Sequence, residues 1–188
     1  LIGLVGSEMC IRDRPPADHT NCYLLGDPNG EFIIIDPAVR YREDMESLAD
    51  AVERHNGTPI AIAYTHSHSD HLADMDLLTE AFDLPVWASD YTAKSVKCDR
   101  ILQDGEKLQL GNQEWQVLIT PGHHPGHTCF LGEAGLIAGD MLAGFGTILV
   151  PPATGDMDEY IHQLARLRDL QPHLCLLYTS PSPRDQSG

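Results

Sequence analysis

The stretch Tyr64-Thr65-His66-Ser67-His68-Ser69-Asp70-His71 constrains this chain more than any other. It packs three imidazoles and a carboxylate into consecutive reach, more ligand capacity than a surface loop needs. In extended backbone alternate side chains share a face, so His66 and His68 point the same way if the strand expected at Pro59–Tyr64 continues through them. A helix starting near Asp70 would then turn the chain and bring Asp70 and His71 toward the same cavity, letting one segment serve two adjacent cations. A single histidine here would read as a hydrogen-bonded core residue or part of a solvated loop. Four donors beside a strand end read as a metal site. Imidazole nitrogen and carboxylate oxygen together suit zinc, with manganese and iron as competitors.

Two other segments fit the same cavity. Thr120-Pro121-Gly122-His123-His124-Pro125-Gly126-His127 follows an apolar run, and Pro and Gly on both sides force a tight loop. Gly139-Asp140 ends a later run, where a carboxylate would point out of a sheet edge. Neither is joined to the first segment by any local pattern, so each alone is weak. Together they supply the missing ligands.

The rest of the chain alternates strand and helix signals. Asn21–Leu25 and Glu31–Ile35 are apolar runs around Gly-Asp-Pro-Asn-Gly, and the Asn-Gly within it predicts a hairpin. Met45, Leu48, Ala49 and Val52 recur at helical spacing between Arg42 and His55, and Asn56-Gly57 supplies a stop. Leu72, Met75, Leu78 and Phe82 predict a second helix, followed by a strand at Pro85–Ala88. Residues 95–140 read as strands, at Leu108–Leu110, Glu114–Ile119, Thr128–Leu131 and Leu136–Ala138. Asp156-x-x-Glu159 resembles a capping box ahead of a stripe of Ile161, Leu164, Leu167 and Leu170, and Leu174–Leu177 opens a last strand. This is one α/β domain with helices outside its sheets. His55 and His162 are expected on solvated helix faces, and His124 and His127 as hydrogen-bonded groups supporting the loop.

Composition narrows the function classes. With 28 acidic and 12 basic residues the net charge is −16, which argues against nucleic acid or anionic lipid as partner and favours a small-molecule substrate. Arg40, Arg42, Arg54, Lys94, Lys97 and Arg100 are scattered and form no basic stripe. Five cysteines without a CxxC pair predict small core residues in a reducing, cytoplasmic setting rather than a disulfide framework. No stretch is apolar for the roughly 20 residues a membrane span requires. The segments 1–14 and 178–188 resemble translated adapter sequence, so the domain is expected over 15–177 and truncated at its C-terminal end.

The pattern T-H-x-H-x-D-H, then T-P-G-H, then G-D resembles the metallo-β-lactamase superfamily, most closely the branch of glyoxalase II and the lactamase-β-like endoribonucleases. The likeness covers nearly all of residues 18–177. It implies a four-layer αβ/βα sandwich with a dinuclear site at one edge of the paired sheets. By that resemblance His66, His68 and His123 would hold one metal, Asp70 and His71 a second, and Asp140 would bridge them. Asp36, after the first hairpin, would be a structural carboxylate. Water made acidic by two cations would be the nucleophile, with Asp70 as proton acceptor. The family's further histidine, in a Gly-His pair after a C-terminal strand, has no counterpart after Leu177, and weak binding of the second cation is expected. The leading activity is hydrolysis of a small ester, thioester or lactone-like molecule. A phosphodiesterase acting on RNA and a non-catalytic metal-binding protein are the alternatives. The iron redox version is disfavoured because flavodiiron relatives carry glutamate where this chain has His68.

Overall fold

Phe32-Ile33-Ile34-Ile35 leaves no polar position, so a strand built from it has to be covered on both faces. A computed structural model of the chain describes residues 9–12, 19–143, 146–172 and 175–176. Among these, two sheets form. The first contains β1 (Met9–Arg12), β2 (His19–Gly26), β3 (Glu31–Ile35), β4 (Thr58–Ala63), β5 (Val86–Ser89) and β6 (Arg100–Leu102), paired in that order. The second contains β7 (Lys107–Leu110), β8 (Gln113–Ile119), β9 (Thr128–Gly132), β10 (Gly135–Ile137) and β11 (Cys175–Leu176), in the order β11-β10-β9-β8-β7.

Side-chain alternation sorts the core into three layers of contact. Tyr23, Leu25, Ile33, Ile35, Ala61 and Ala63 meet Leu108, Trp115, Val117 and Phe130 between the sheets. On the outer face of the first sheet Leu24, Phe32, Ile34 and Ile62 pack with Met45 and Leu48 of α1 (Arg42–Arg54) and Leu78 of α2 (Met75–Ala81). On the outer face of the second, Leu118 and Cys129 pack with Leu167 of α3 (Met157–Asp169). The result is the four-layer αβ/βα sandwich. Strands β3, β4, β5 and β6 run parallel, so their C-terminal ends share one edge, where loops gather in sheets of this type.

Several local expectations are corrected. The hairpin between β2 and β3 exists, but its turn is Asp27-Pro28-Asn29-Gly30, closed by Gly30 N donating to Asp27 O at 3.1 Å, rather than a two-residue Asn-Gly turn. The second helix starts at Met75, not near Asp70. Asp74 caps it by accepting from Asp76 N and Leu77 N, which leaves Asp70 and His71 in a turn closed by His71 N to His68 O at 3.1 Å. His55 is buried rather than solvated: as the residue that ends α1 it leaves the helix surface, and its ring sits 4.2 Å from that of Phe32. His162 is exposed, as expected.

The stripe assigned to α3 is wrong at both ends. Ile161 is 58% and Leu170 41% exposed, while Leu167 is buried and Tyr160 and Leu164 pack partly against the sheet. Residues at a strict three-residue spacing fall about 60° behind per step on a helix of 3.6 residues per turn, so four of them cannot share a face. The strand expected at Leu174–Leu177 appears at Cys175–Leu176, parallel to β10. Leu174 and Leu177 lie outside the described residues, as do the end segments apart from Met9–Arg12. Urea denaturation tests the helix assignment: Leu167→Ala is expected to cost about 2–4 kcal/mol, Ile161→Ala less than about 0.5 kcal/mol.

Candidate metal centre

Beyond β4 the chain leaves the sheet, and Thr65 is the first residue to be anchored. Its N–H donates to Asp36 Oδ1 at 2.8 Å and its hydroxyl to Asp36 Oδ2 at 2.6 Å. Asp36 follows β3 with φ of +48°, a left-handed conformation that a short polar side chain tolerates better than most. From the other sheet, Thr128 N donates to Thr65 O at 2.8 Å, and the ring of His124 meets the Ser67 hydroxyl at 3.0 Å. The two ligand-bearing loops are thereby held against each other.

Within that frame three ring nitrogens converge. His66 Nε2 lies 3.0 Å from His68 Nδ1 and 3.3 Å from His123 Nε2, and His68 Nδ1 lies 2.9 Å from His123 Nε2. The far side of each ring decides the protonation. Leu149 O can only accept, so His123 Nδ1, at 2.6 Å, carries the proton. The Thr65 hydroxyl spends its proton on Asp36, so His66 Nδ1, 3.0 Å away, must donate to it. His66 Nε2 is therefore a bare acceptor, facing both His68 Nδ1 and His123 Nε2. Nitrogens about 2.0–2.1 Å from a tetrahedral ion stand about 3.3 Å apart, close to this spacing.

Asp140 completes the group: one ligand atom from each of His66, His68, His123 and Asp140 lies within 4.8 Å of all the others. Its Oδ2 is 3.3 Å from His123 Nε2 and 3.8 Å from His66 Nε2. Its Oδ1, buried and without a hydrogen bond from any described residue, is turned the other way, 3.3 Å from His71 Nε2. His71 Nδ1 is held at 2.8 Å by Asp36 Oδ2, and Asp70 Oδ2 stands 3.9 Å from His71 Nε2. One carboxylate thus faces two clusters of donors. The donor chemistry fits divalent cations, and the fold together with this His/Asp group supports a divalent metal.

All six residues picked from the sequence as candidate ligands, His66, His68, Asp70, His71, His123 and Asp140, fall at this one edge. Asp70 is more open than Asp140, its side chain 37% exposed against 10%. Asp36 has the structural place expected of it, and His124 and His127 are hydrogen-bonded supports. The anchoring partners Thr65, Ser67, Thr120 and the Leu149 carbonyl were missed. Threonine beside a ligand histidine was visible in Thr65-His66 and Thr120-Pro-Gly-His123, but a backbone carbonyl from a distant loop leaves no sequence signal.

Burial sets the electrostatics. It pushes the imidazolium form of His66 and His127 well below the usual range, and the neighbouring imidazoles add to this. His68 is lowered for the same reason, and His124 is lowered to about 4 by burial with help from His68 and His123. His71 is opposed by burial but ends well above the usual range, because Asp140 and Asp36 flank it.

The family model described as metallo-beta-lactamase superfamily matches residues 15–178. Among solved structures, the BLEG-1 B3 metallo-beta-lactamase is 25% identical with a TM-score of 0.74, covering 92% of this chain and 91% of that one. TTHA1623, solved in a di-iron-bound form, is 27% identical with a TM-score of 0.72, covering 92% of each chain. ETHE1 from Myxococcus xanthus, 23% identical with a TM-score of 0.76 over 94% of this chain and 76% of that one, shares the fold.

The titrations carry a sign that can be checked. Unfolded, every histidine titrates near about 6.5. Between there and about 4 the unfolded metal-free chain takes up protons that folded His66, His68, His124 and His127 refuse, so stability falls with pH across that window. His71 acts oppositely: its raised value adds stability below about 6.5 that is lost as pH rises through the folded value. Four groups outweigh one, so the urea midpoint of the metal-free protein is expected to drop from pH 7.5 to pH 5.0. The drop should be shallower in His124→Gln. A midpoint that rises on acidification would contradict the assignment.

Proposed function

The chain belongs to the metallo-beta-lactamase superfamily, and from that premise we propose that it is a metal-dependent hydrolase of a small ester, thioester or lactone-like substrate. The observation that carries the reading is the convergence of ring nitrogens of His66, His68 and His123, closed by the buried carboxylate of Asp140. In this reading His66, His68, His123 and Asp140 would hold one cation, and Asp70 and His71, with Asp140, would hold another. When bound, such a pair supplies Lewis acidity to the scissile carbonyl and lowers the pKa of water from about 15.7 toward neutrality.

The protein's own groups handle orientation and the proton. Asp70, open to solvent where Asp36 and Asp140 are buried, accepts a proton from the attacking water and returns it to the leaving oxygen or sulfur. Asp36 keeps the His71 ring fixed through Nδ1 and holds Thr65 in register, so the donor atoms are in place before substrate arrives. No side-chain nucleophile is needed: the Ser67 hydroxyl is engaged by His124, and Cys22 is buried in the outer core. The donor set favours zinc, and iron is the competitor that the di-iron form of TTHA1623 suggests.

Charge supports a small molecule over nucleic acid. Arg42 pairs with Glu80, Lys94 with Asp90, and Arg100 with Glu106, so these three cations are already matched by carboxylates. Among the described residues no helix is long and apolar enough to cross a membrane. Cys22 and Cys98 are free thiols, in keeping with the proposed cytoplasmic setting.

The test is a metal-loaded panel of S-lactoylglutathione, a β-lactam and an RNA oligomer. Turnover of the thioester, abolished by a chelator and restored by zinc, is expected. Asp70→Ala should lower kcat by roughly 10²–10⁴-fold. His66→Ala should act through metal content. RNA cleavage alone, or bound metal with no turnover on any of the three, would overturn the reading.

A further inference from the structure

Asp140 hangs from an unusual piece of backbone. Gly139 before it has φ of +48°, and Asp140 itself lies at φ −84°, ψ +21°, in the sparsely populated bridge region. Its N–H does not enter the sheet. It donates instead to His127 Nε2 at 3.0 Å. His127 is fully buried, and its other nitrogen lies 2.8 Å from the Thr120 hydroxyl.

The roles follow without ambiguity. A backbone N–H can only donate, so Nε2 of His127 is the acceptor and Nδ1 carries the proton. The Thr120 oxygen accepts that proton, leaving its own directed at Cys129 Sγ, 3.3 Å away. His127 Nε2 is therefore consumed by the backbone and is not available to a cation. The approach is close enough that a Cβ on residue 139 would fall 2.6 Å from His127 Nε2, so only glycine fits there.

We propose that His127 is a positioning residue: its Nε2 sets where the Asp140 carboxylate sits between His123 and His71. The same loop that carries His123 thereby also places Asp140. Thr120 N donates to His127 O at 2.8 Å and His127 N to His124 O at 3.0 Å, so residues 120–127 close into a rigid ring. Asp140 Oδ2 stands 3.3 Å from His123 Nε2, and Oδ1 stands 3.3 Å from His71 Nε2. A carboxylate divided evenly between two sets of donors tolerates little displacement, and a fixed backbone N–H on its own residue holds the Cα from which it hangs. The inference rests on the metal reading above and extends it to a residue that touches no cation.

The test separates hydrogen bonding from packing. Glutamine can place an acceptor oxygen where Nε2 lies, whereas asparagine reaches only the place of Nδ1. By chelator competition His127→Asn is expected to bind zinc 10–100-fold more weakly, and His127→Gln to stay within about threefold of the unaltered chain. Both variants lose the ring, so the thermal midpoints of their metal-free forms should fall alike. Thr120→Val against Thr120→Ser repeats the contrast one bond further out, with valine weakening zinc binding and serine preserving it. In the metal-free protein, long-range proton–nitrogen NMR should show His127 as the Nδ1–H tautomer. Equal loss of affinity in the asparagine and glutamine variants, or an Nε2–H tautomer, overturns the proposal. An unaltered chain that binds no zinc overturns the metal reading instead, and the tautomer then still decides whether His127 holds Asp140.

Discussion

Three imidazole nitrogens and a buried carboxylate crowd together at one sheet edge, His66 Nε2 and His123 Nε2 only 3.3 Å apart, and the arrangement of this molecule makes sense around what would relieve that crowding. Nothing in the fold turns either ring away. His123 is locked by a carbonyl, His66 by a threonine whose own proton is committed to Asp36, and the buried carboxylate of Asp140 adds negative charge beside them. In a low-dielectric edge these costs would be severe if left unmet, so a bound cation is the natural counterpart of the constellation. The remaining architecture exists to keep the rings from relaxing.

That architecture works by rigidity at strand ends. Parallel strands β3, β4 and β5 are buried on both faces, one against the facing sheet and one under α1 and α2, so their ends cannot shift without disturbing two packed layers. Asp36 and the Thr65–His71 segment leave the first sheet, and the loop 120–127 and Asp140 leave the second. The hydrogen bonds from Thr128 to Thr65 and between His124 and Ser67 bridge the gap. Both sheets thus contribute to the centre. The bridging carboxylate comes from one sheet and faces histidines of both.

Much of this was legible in the chain. The hairpin, the first helix, β4, β5 and the antiparallel strands follow from apolar runs and turn residues, which act locally. Errors arose where a local pattern had two solutions. A three-residue repeat of Ile161, Leu164, Leu167 and Leu170 reads as a face, yet helical geometry rotates its ends into solvent. Leu72 and Met75 fit a helix beginning near Asp70, yet the Asp74 side chain caps one beginning at Met75. His55 looked like part of a polar helix face, yet the chain had already left the helix there.

The histidine- and aspartate-rich segment by itself determined that a metal centre would lie after a strand and which residue types would build it, because alternation and ligand chemistry are properties of neighbours in sequence. Only the tertiary structure decided which nitrogen of each ring faces inward, which carboxylate is buried between donors and which stays open. Those outcomes depend on partners such as Leu149 O, Asp36 and His127, brought close by the packing of two sheets. Contacts between residues far apart along the chain are set by how layers stack, and linear spacing does not encode them.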